Sequence, residues 1–240
     1  MITGGPAEKP ASKRAYVRAM FSDIARRYDL LNSLLSFGLH RRWKRFAVRL
    51  AAAATGGAAL DVCCGTGDLA RLHRARVGRR GGVVGLDFAG PMLDVARARG
   101  GARYVQGDAE ALPVADGSFD AVTIAFGLRN VMRPDVALRE MLRVLRPGGR
   151  LVVLEFSRPT NAPFHAAYGL YSFAVIPLLG RLLSRHGDAY SYLPASIRAW
   201  PDQEGLAAWL RDAGFARVTY HNLLFGAVAA HVGTKPDAAA

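Results

Sequence analysis

Apolar residues recur at Tyr16, Met20, Phe21, Ile24 and Tyr28, spacings of three and four that predict one amphipathic helix over residues 11–31. A second helical stretch, 40–54, sets Trp43, Phe46, Ala47 and Leu50 against a basic face. Beyond it the rhythm changes. Short β-forming runs at 58–62, 83–87, 103–106, 119–125 and 150–156 alternate with helical segments near 68–76, 91–99 and 135–145. Strand, helix and strand in repetition predict a doubly wound, Rossmann-like α/β domain: a mostly parallel sheet with helices on both faces. Arg146-Pro147-Gly148-Gly149 is expected to turn the last of these helices into its strand. A helix at 203–213 and strands at 215–222 and 227–233 close the domain, with an antiparallel C-terminal strand. Residues 1–10 read as a disordered terminus. The remainder, 11–240, reads as one domain, with N-terminal helices over 11–54 and a helical insertion over 157–201 that is expected to serve as a substrate lid.

Composition changes the picture little. With 240 residues, 51% apolar and 21% charged, the chain is an ordinary globular one, long enough to bury a core without disulfides or zinc. Its two cysteines, Cys63 and Cys64, are adjacent, a spacing that suits neither a relaxed disulfide nor a four-ligand metal site. The histidines lack ligand spacing as well, so no metal is expected. The N-terminus has no apolar core of the secretory kind, and a cytoplasmic location fits. Residues 159–180 carry no Asp, Glu, Lys or Arg, but three prolines, two glycines and several polar residues interrupt the ~20 apolar residues that a bilayer span requires. Charge is more telling. The formal net charge is +13, and the first fifty residues carry +8 of it. Nucleic acid, the anionic inner face of a membrane, and plain solvated helix faces all suit such a patch.

The sharpest local signal is Leu60-Asp61-Val62-Cys63-Cys64-Gly65-Thr66-Gly67-Asp68, a strand that ends in a Gly-x-Gly turn into a helix. Gly65 and Gly67 let the backbone approach a nucleotide at a helix N-terminus. Asp87, twenty residues after Gly67, stands at the end of the next strand, where a carboxylate accepts ribose hydroxyls. Gly65 to Ala70 also fits a dinucleotide fingerprint. Asp61 decides between them: a carboxylate so near would crowd a pyrophosphate, yet it suits an ammonium and a sulfonium. The inferred ligand is S-adenosylmethionine, with Asp108 and the Ala109 backbone N–H reading adenine. The competing account makes Asp87 and Asp108 helix caps.

From Met20 onward the chain resembles the ubiquinone/menaquinone biosynthesis C-methyltransferases, class I enzymes of the UbiE/MenG type. The resemblance rests on residues 21–29 and 36–44, on Phe126-Gly127-Leu128-Arg129-Asn130-Val131, on residues 146–150, and on Leu154-Glu155-Phe156-Ser157. It rests also on Tyr190-Ser191-Tyr192-Leu193-Pro194-Ala195-Ser196-Ile197 and Pro201-Asp202-Gln203. It implies cofactor contacts at Thr66, Asp87, Asp108 and Ala109. Ala125 stands where the family often has a cofactor-binding serine, and Cys63 where a small residue is common.

The resemblance further implies methyl transfer to a ring carbon of a polyprenylated quinol, demethylmenaquinol being favoured over a benzoquinol. A phenol near pKa ~10 is protonated at neutral pH, so a cation beside it would help to activate the ring. Arg129 is the candidate, with Asn130 holding a quinol oxygen. Tyr28, Asp29 and His40 are the candidate bases; for Tyr28 packing on the cofactor competes with proton transfer, and for His40 a solvent-side place at a helix start competes with catalysis. The insertion, with Phe164, Tyr168, Leu170, Tyr171 and Phe173 among its apolar residues, would line a groove for the prenyl tail or else simply pack as core. A homo-oligomer is compatible with this reading. The rival enzyme class, a nucleic-acid methyltransferase acting on exocyclic amines, is disfavoured because the fourth strand lacks an Asn/Asp-Pro-Pro-aromatic loop. A non-catalytic nucleotide-binding module is the remaining alternative.

Overall fold

The computed structural model describes residues 10–161, 163, 164, 169 and 195–237. The expectations for the remaining N-terminal residues and for most of the insertion, Tyr168, Leu170, Tyr171 and Phe173 included, lie outside the described residues.

Three helices open the chain: α1 (Pro10–Ile24), α2 (Tyr28–Leu35) and α3 (Leu39–Ala51). The single helix expected over 11–31 is thus two. The break at 25–27 has no proline or glycine; its cause is tertiary. Ala25 is buried against Ala89 and Met92, and the Arg27 N–H bonds back to Ile24, three residues away, instead of continuing the α ladder. α2 ends as Phe37 and Gly38 turn left-handed, at φ +49° and +75°.

The alternation that follows is β1 (Ala58–Val62), α4 (Asp68–Val77), β2 (Gly82–Asp87), α5 (Gly90–Arg99), β3 (Arg103–Gln106), β4 (Phe119–Ala125), α6 (Pro134–Val144) and β5 (Leu145–Phe156). After the insertion come α7 (Gln203–Asp212), β6 (Ala216–Leu223) and β7 (Val228–Thr234). The seven strands lie in the order β3-β2-β1-β4-β5-β7-β6, parallel except that β7 runs antiparallel to both its neighbours.

Period-two alternation along the strands feeds two cores. Leu60, Val62, Val122, Ile124, Leu151 and Val153 face α6 and α7, meeting Leu138, Met141, Leu206 and Leu210. Ala59, Ala121, Val152 and Leu154 face the other way, where Trp43, Ala47 and Ala51 of α3 and Ala70 and Val77 of α4 cover them. The turn expected at Arg146–Gly149 exists as an interruption inside β5. Leu145 already pairs with Phe119, and the register then slips so that Arg150 pairs with Ala121. Gly148, at φ +73°, gives its N–H to Lys235, whose own N–H returns to Gly149. The strand order reverses between β1 and β4, and at that switch point the carboxyl ends of the strands leave a crevice for ligands.

Candidate active site

Beyond Val62 the chain doubles back through 63–67 into α4. Cys63, Gly65 and Gly67 all take positive φ, +53°, +52° and +81°. Gly67 has no room for a side chain either: a Cβ there would lie 2.5 Å from the Tyr104 hydroxyl. Cys63 does carry a side chain, and residue 127 makes the space, since a Cβ on Gly127 would stand 2.5 Å from Cys63 Cβ. Asp87, buried at the end of β2, ties the turn down. Its Oδ2 accepts the Gly65 N–H at 2.8 Å and its Oδ1 the Ala89 N–H at 2.9 Å. Burial raises its pKa, against the pull of those N–H donors. The carboxylate therefore ties the 63–67 turn to the residue just ahead of α5.

Asp61 sits one residue from the end of β1. Its Oδ1 accepts the Thr123 hydroxyl at 3.0 Å, while Oδ2 is buried with no partner among the described residues. Burial pushes its pKa up to about 7. A buried carboxylate oxygen without a donor is costly, and the α-ammonium of S-adenosylmethionine is a group that would satisfy it. The tight left-handed turn, Asp87 and this orphaned oxygen fit that cofactor together.

Asp108 and Ala109 follow β3. Asp108 Oδ1 accepts the Glu110 N–H at 3.0 Å, and its Oδ2 forms an ion pair with Arg14 of α1. Glu110 holds the chain just ahead of α6, taking the Met132 and Arg133 N–H groups at 3.1 Å each. Cys63, Asp108, Ala109, Gly127 and Asn130 share one cavity of about 40 Å³, closed from above by Arg14 and Val17. Ligand pockets run to about 300 Å³ or more, so this cavity alone does not hold a nucleoside. An open cleft of about 800 Å³ adjoins it between α1 and Phe88, Gln106 and Asp108.

β4 ends at Ala125, Phe126 turns left-handed at φ +55°, and a single 3-10 turn presents Arg129 and Asn130. Arg129 is not the free cation expected from the sequence. Its Nη1 lies 2.7 Å from Glu155 Oε1 and donates to the Phe126 carbonyl at 2.7 Å. Both side chains are buried, at 7% and 1% exposure, and the guanidinium lies 5.1 Å from the Phe156 ring centre. Arg129 Nε is buried with no partner among the described residues. Burial raises the Glu155 pKa and the Arg129 charge opposes that rise.

The N-terminal candidates separate. The Tyr28 ring lies over the donor turn, 3.7 Å from where a Cβ on Gly65 would be, and packs edge-on against Phe21. Asp29 accepts the Thr66 hydroxyl at 2.7 Å and pairs with Arg99, so its oxygens are engaged in holding α2 to the turn and to α5. His40 is buried at 4% exposure, not near solvent as expected from a helix start. Its Nδ1 meets Ser36 Oγ at 2.8 Å, and burial with the Lys44 charge lowers its pKa to about 4. It lines neither cavity. Among the described residues no cluster of His, Cys, Asp and Glu is arranged to hold a metal, and no helix is long and apolar enough to cross a membrane.

Three features were missed from the sequence. Glu155 had a signal: it is the one acid in the apolar run 151–156. Arg14 and the buried pair Thr123 and His73 had none, because only the packing of α1 and α4 brings them to the site.

The model of the ubiE/COQ5 methyltransferase family matches residues 9–235. The chain belongs to that family. It is 52% identical over 235 residues to the ubiquinone/menaquinone biosynthesis C-methyltransferase UbiE of Pseudomonas syringae pv. tomato, covering 95% of this chain and 92% of that protein. The UbiE of Pseudomonas putida is 50% identical over 240 residues, covering 97% and 94%. Among solved structures, a possible histamine N-methyltransferase of Thermotoga maritima superposes with a TM-score of 0.63 at 22% identity, covering 90% of this chain and 99% of that one. The cyclase SpnF superposes at 0.66 with 20% identity, covering 92% and 95%. Likeness at that distance shows the fold alone, and a cyclase among the matches illustrates why. The protein is a methyltransferase of the class I fold, and its cofactor is S-adenosylmethionine.

Proposed function

We propose that this methyltransferase transfers the methyl group of S-adenosylmethionine to a ring carbon of a polyprenylated quinol, in the conversion of demethylmenaquinol to menaquinol. Methylation of the benzoquinol in ubiquinone biosynthesis is the rival reading, and the relatives' own name spans both rings. The observation that carries the proposal is the Arg129–Glu155 pair, buried under the Phe156 ring one strand away from the donor turn.

When bound, the cofactor supplies an electrophilic methyl group on a sulfonium. The protein must then hold an electron-rich ring carbon in line with it and remove a phenolic proton. Asp61, Asp87, Asp108 and the Ala109 amide hold and orient the donor. Arg129, charge-matched by Glu155, is buried and lines neither cavity; its unpartnered Nε would turn to a quinol oxygen only as the acceptor enters beside Asn130, which does line the inner cavity. Because Glu155 already neutralises most of the guanidinium charge, alignment supplies more of the acceleration than a bare cation would. A tyrosine phenol is no stronger a base than the quinol it would deprotonate, so Tyr28 serves by packing over the turn; buried His40 is not placed to take the proton, which passes to water. We further propose a peripheral membrane contact through α2, which exposes Leu30 at 57% and Leu34 at 42% amid exposed Arg26, Arg27, Arg41 and Arg45.

Incubating the enzyme with labelled S-adenosylmethionine and equal amounts of demethylmenaquinol and its benzoquinol counterpart, followed by mass spectrometry, tests the reaction. Labelled naphthoquinol in excess supports the proposal, labelled benzoquinol in excess selects the rival, and no labelled quinol overturns both. Arg129→Ala is expected to lower kcat at least 100-fold with little change in donor affinity, whereas Asp87→Ala weakens donor binding first.

A further inference from the structure

Behind Asp61, two further buried polar side chains, Thr123 and His73, lead away from the 63–67 turn. Asp61 on β1 and Thr123 on β4 are in register, side by side on the face that α4 covers. Thr123 gives its hydroxyl proton to Asp61 Oδ1 at 3.0 Å, and His73 Nε2 lies 3.1 Å from the same hydroxyl oxygen. All three side chains are buried, at 1%, 0% and 0% exposure. The direction of these hydrogen bonds follows from counting protons. A threonine hydroxyl has one proton, and with Asp61 ionised that proton goes to the carboxylate, so Nε2 must donate in turn to Thr123. Nδ1, buried with no partner among the described residues, is then the bare nitrogen.

We propose that Thr123 and His73 are positioning residues for the methyl donor: together they anchor Asp61 Oδ1 from behind, so that Oδ2 stays ionised and fixed in one orientation for the donor's α-ammonium. The proposal rests on the reading of Asp61 as a donor contact. Its physical content is a contest over one carboxylate. Burial favours the protonated form, as does Asp87 at the end of β2; the Thr123 hydroxyl, the Ala70 amide of α4 and Lys44 of α3 favour the anion. Lys44 itself is held 2.8 Å from Asp68, which divides its influence. The thiols of Cys63 and Cys64 face the same carboxylate, but burial keeps them protonated, as it does Tyr104 with its pKa pushed up to about 12. His73 is neutral at neutral pH, since burial lowers its pKa to about 4. It therefore supports the anion through an oriented N–H and not through charge. The contest stands near balance at about pH 7, so removal of one hydrogen bond tips it.

The test is calorimetric titration of S-adenosylmethionine into the intact protein from about pH 5.5 to 9, bracketing the Asp61 carboxyl and the donor's own α-amine near ~8. Affinity is expected to fall below neutrality as Asp61 protonates, and above pH ~8 as the donor loses its charge. Thr123→Val should weaken binding about fivefold at pH 7 and move the acidic limb up by about one pH unit, leaving the alkaline limb in place. Thr123→Ser, which keeps the hydroxyl, should restore both, and His73→Leu, which has no N–H to donate, should move the acidic limb in the same direction by less. If Thr123→Val does not fold, the limb shift of His73→Leu carries the test. Acidic limbs that coincide with wild type in every folded variant overturn the proposal. Asp61→Asn separates the two levels. If it binds the donor as wild type does, the donor contact itself is wrong and this proposal falls with it; if it binds weakly while the limbs stay fixed, only the positioning role is lost.

Discussion

Cys63 holds a left-handed backbone that favours glycine, and it can do so only because residue 127 has no side chain. The two positions are 64 residues apart in sequence, yet a Cβ on Gly127 would meet Cys63 Cβ at 2.5 Å, a contact that neither backbone can relieve cheaply. Gly127→Ala is therefore expected to cost ~1–3 kcal/mol. In a Cys63→Gly background most of that cost should vanish, giving a favourable coupling of ~1–2 kcal/mol in a double-mutant cycle read by urea unfolding. Costs that simply add would show that the two side chains do not compete. Such pairings mark the boundary of what the sequence discloses at this scale. Asp61, Gly65, Gly67, Asp87 and Asp108 were legible because strand ends and turn spacing place them. Arg129 was legible as a position but not as a charge: that Glu155 neutralises it depends on β4 and β5 pairing Ala125 with Leu154, which no local pattern states. His40 went astray similarly, its burial being set by the turn that folds Ser36 back onto it.

At the level of elements, the parallel alternation was readable because each strand and helix signals itself locally, and the expected boundaries fall close to those observed. The N-terminal helices were harder. A periodicity of three and four continues through the break at 25–27, and only packing of Ala25 on Ala89 and Met92 interrupts it. That break lets α1 lie across the inner cavity, with Val17 buried and Arg14 paired to Asp108, the carboxylate proposed here to read adenine. On that proposal the helix and the nucleoside compete for one carboxylate. Exposed ion pairs contribute ~0–1 kcal/mol, so Arg14→Ala should speed donor association and tighten binding by no more than about fivefold, as measured by stopped-flow fluorescence. Slower association in that variant would mean that Arg14 guides the donor in and does not bar its way.

On the scale of the whole molecule, the charge asymmetry and the outward face of α2 belong together. Eleven of the 32 lysines and arginines fall in the first fifty residues. Arg26 and Arg27 precede exposed Leu30 in the chain, and Arg41 of α3 reaches Ser33 of α2 at 3.4 Å, so basic side chains lie near the exposed Leu30 and Leu34. An acceptor with a long prenyl tail resides in a bilayer, and a surface pairing basic side chains with shallow apolar ones is suited to that boundary. Each basic group near an anionic leaflet contributes ~1 kcal/mol, and each inserted leucine ~1.5–3 kcal/mol if fully buried. The wild-type protein should therefore co-sediment with vesicles containing acidic lipid, lose that binding as ionic strength rises, and bind zwitterionic vesicles weakly. Leu30→Ser with Leu34→Ser should lower partitioning into acidic vesicles by at least tenfold while donor affinity stays unchanged, because neither side chain lines the donor cavity. Binding indifferent to both lipid charge and the two leucines would remove this face from consideration and leave the acceptor to be reached by another surface.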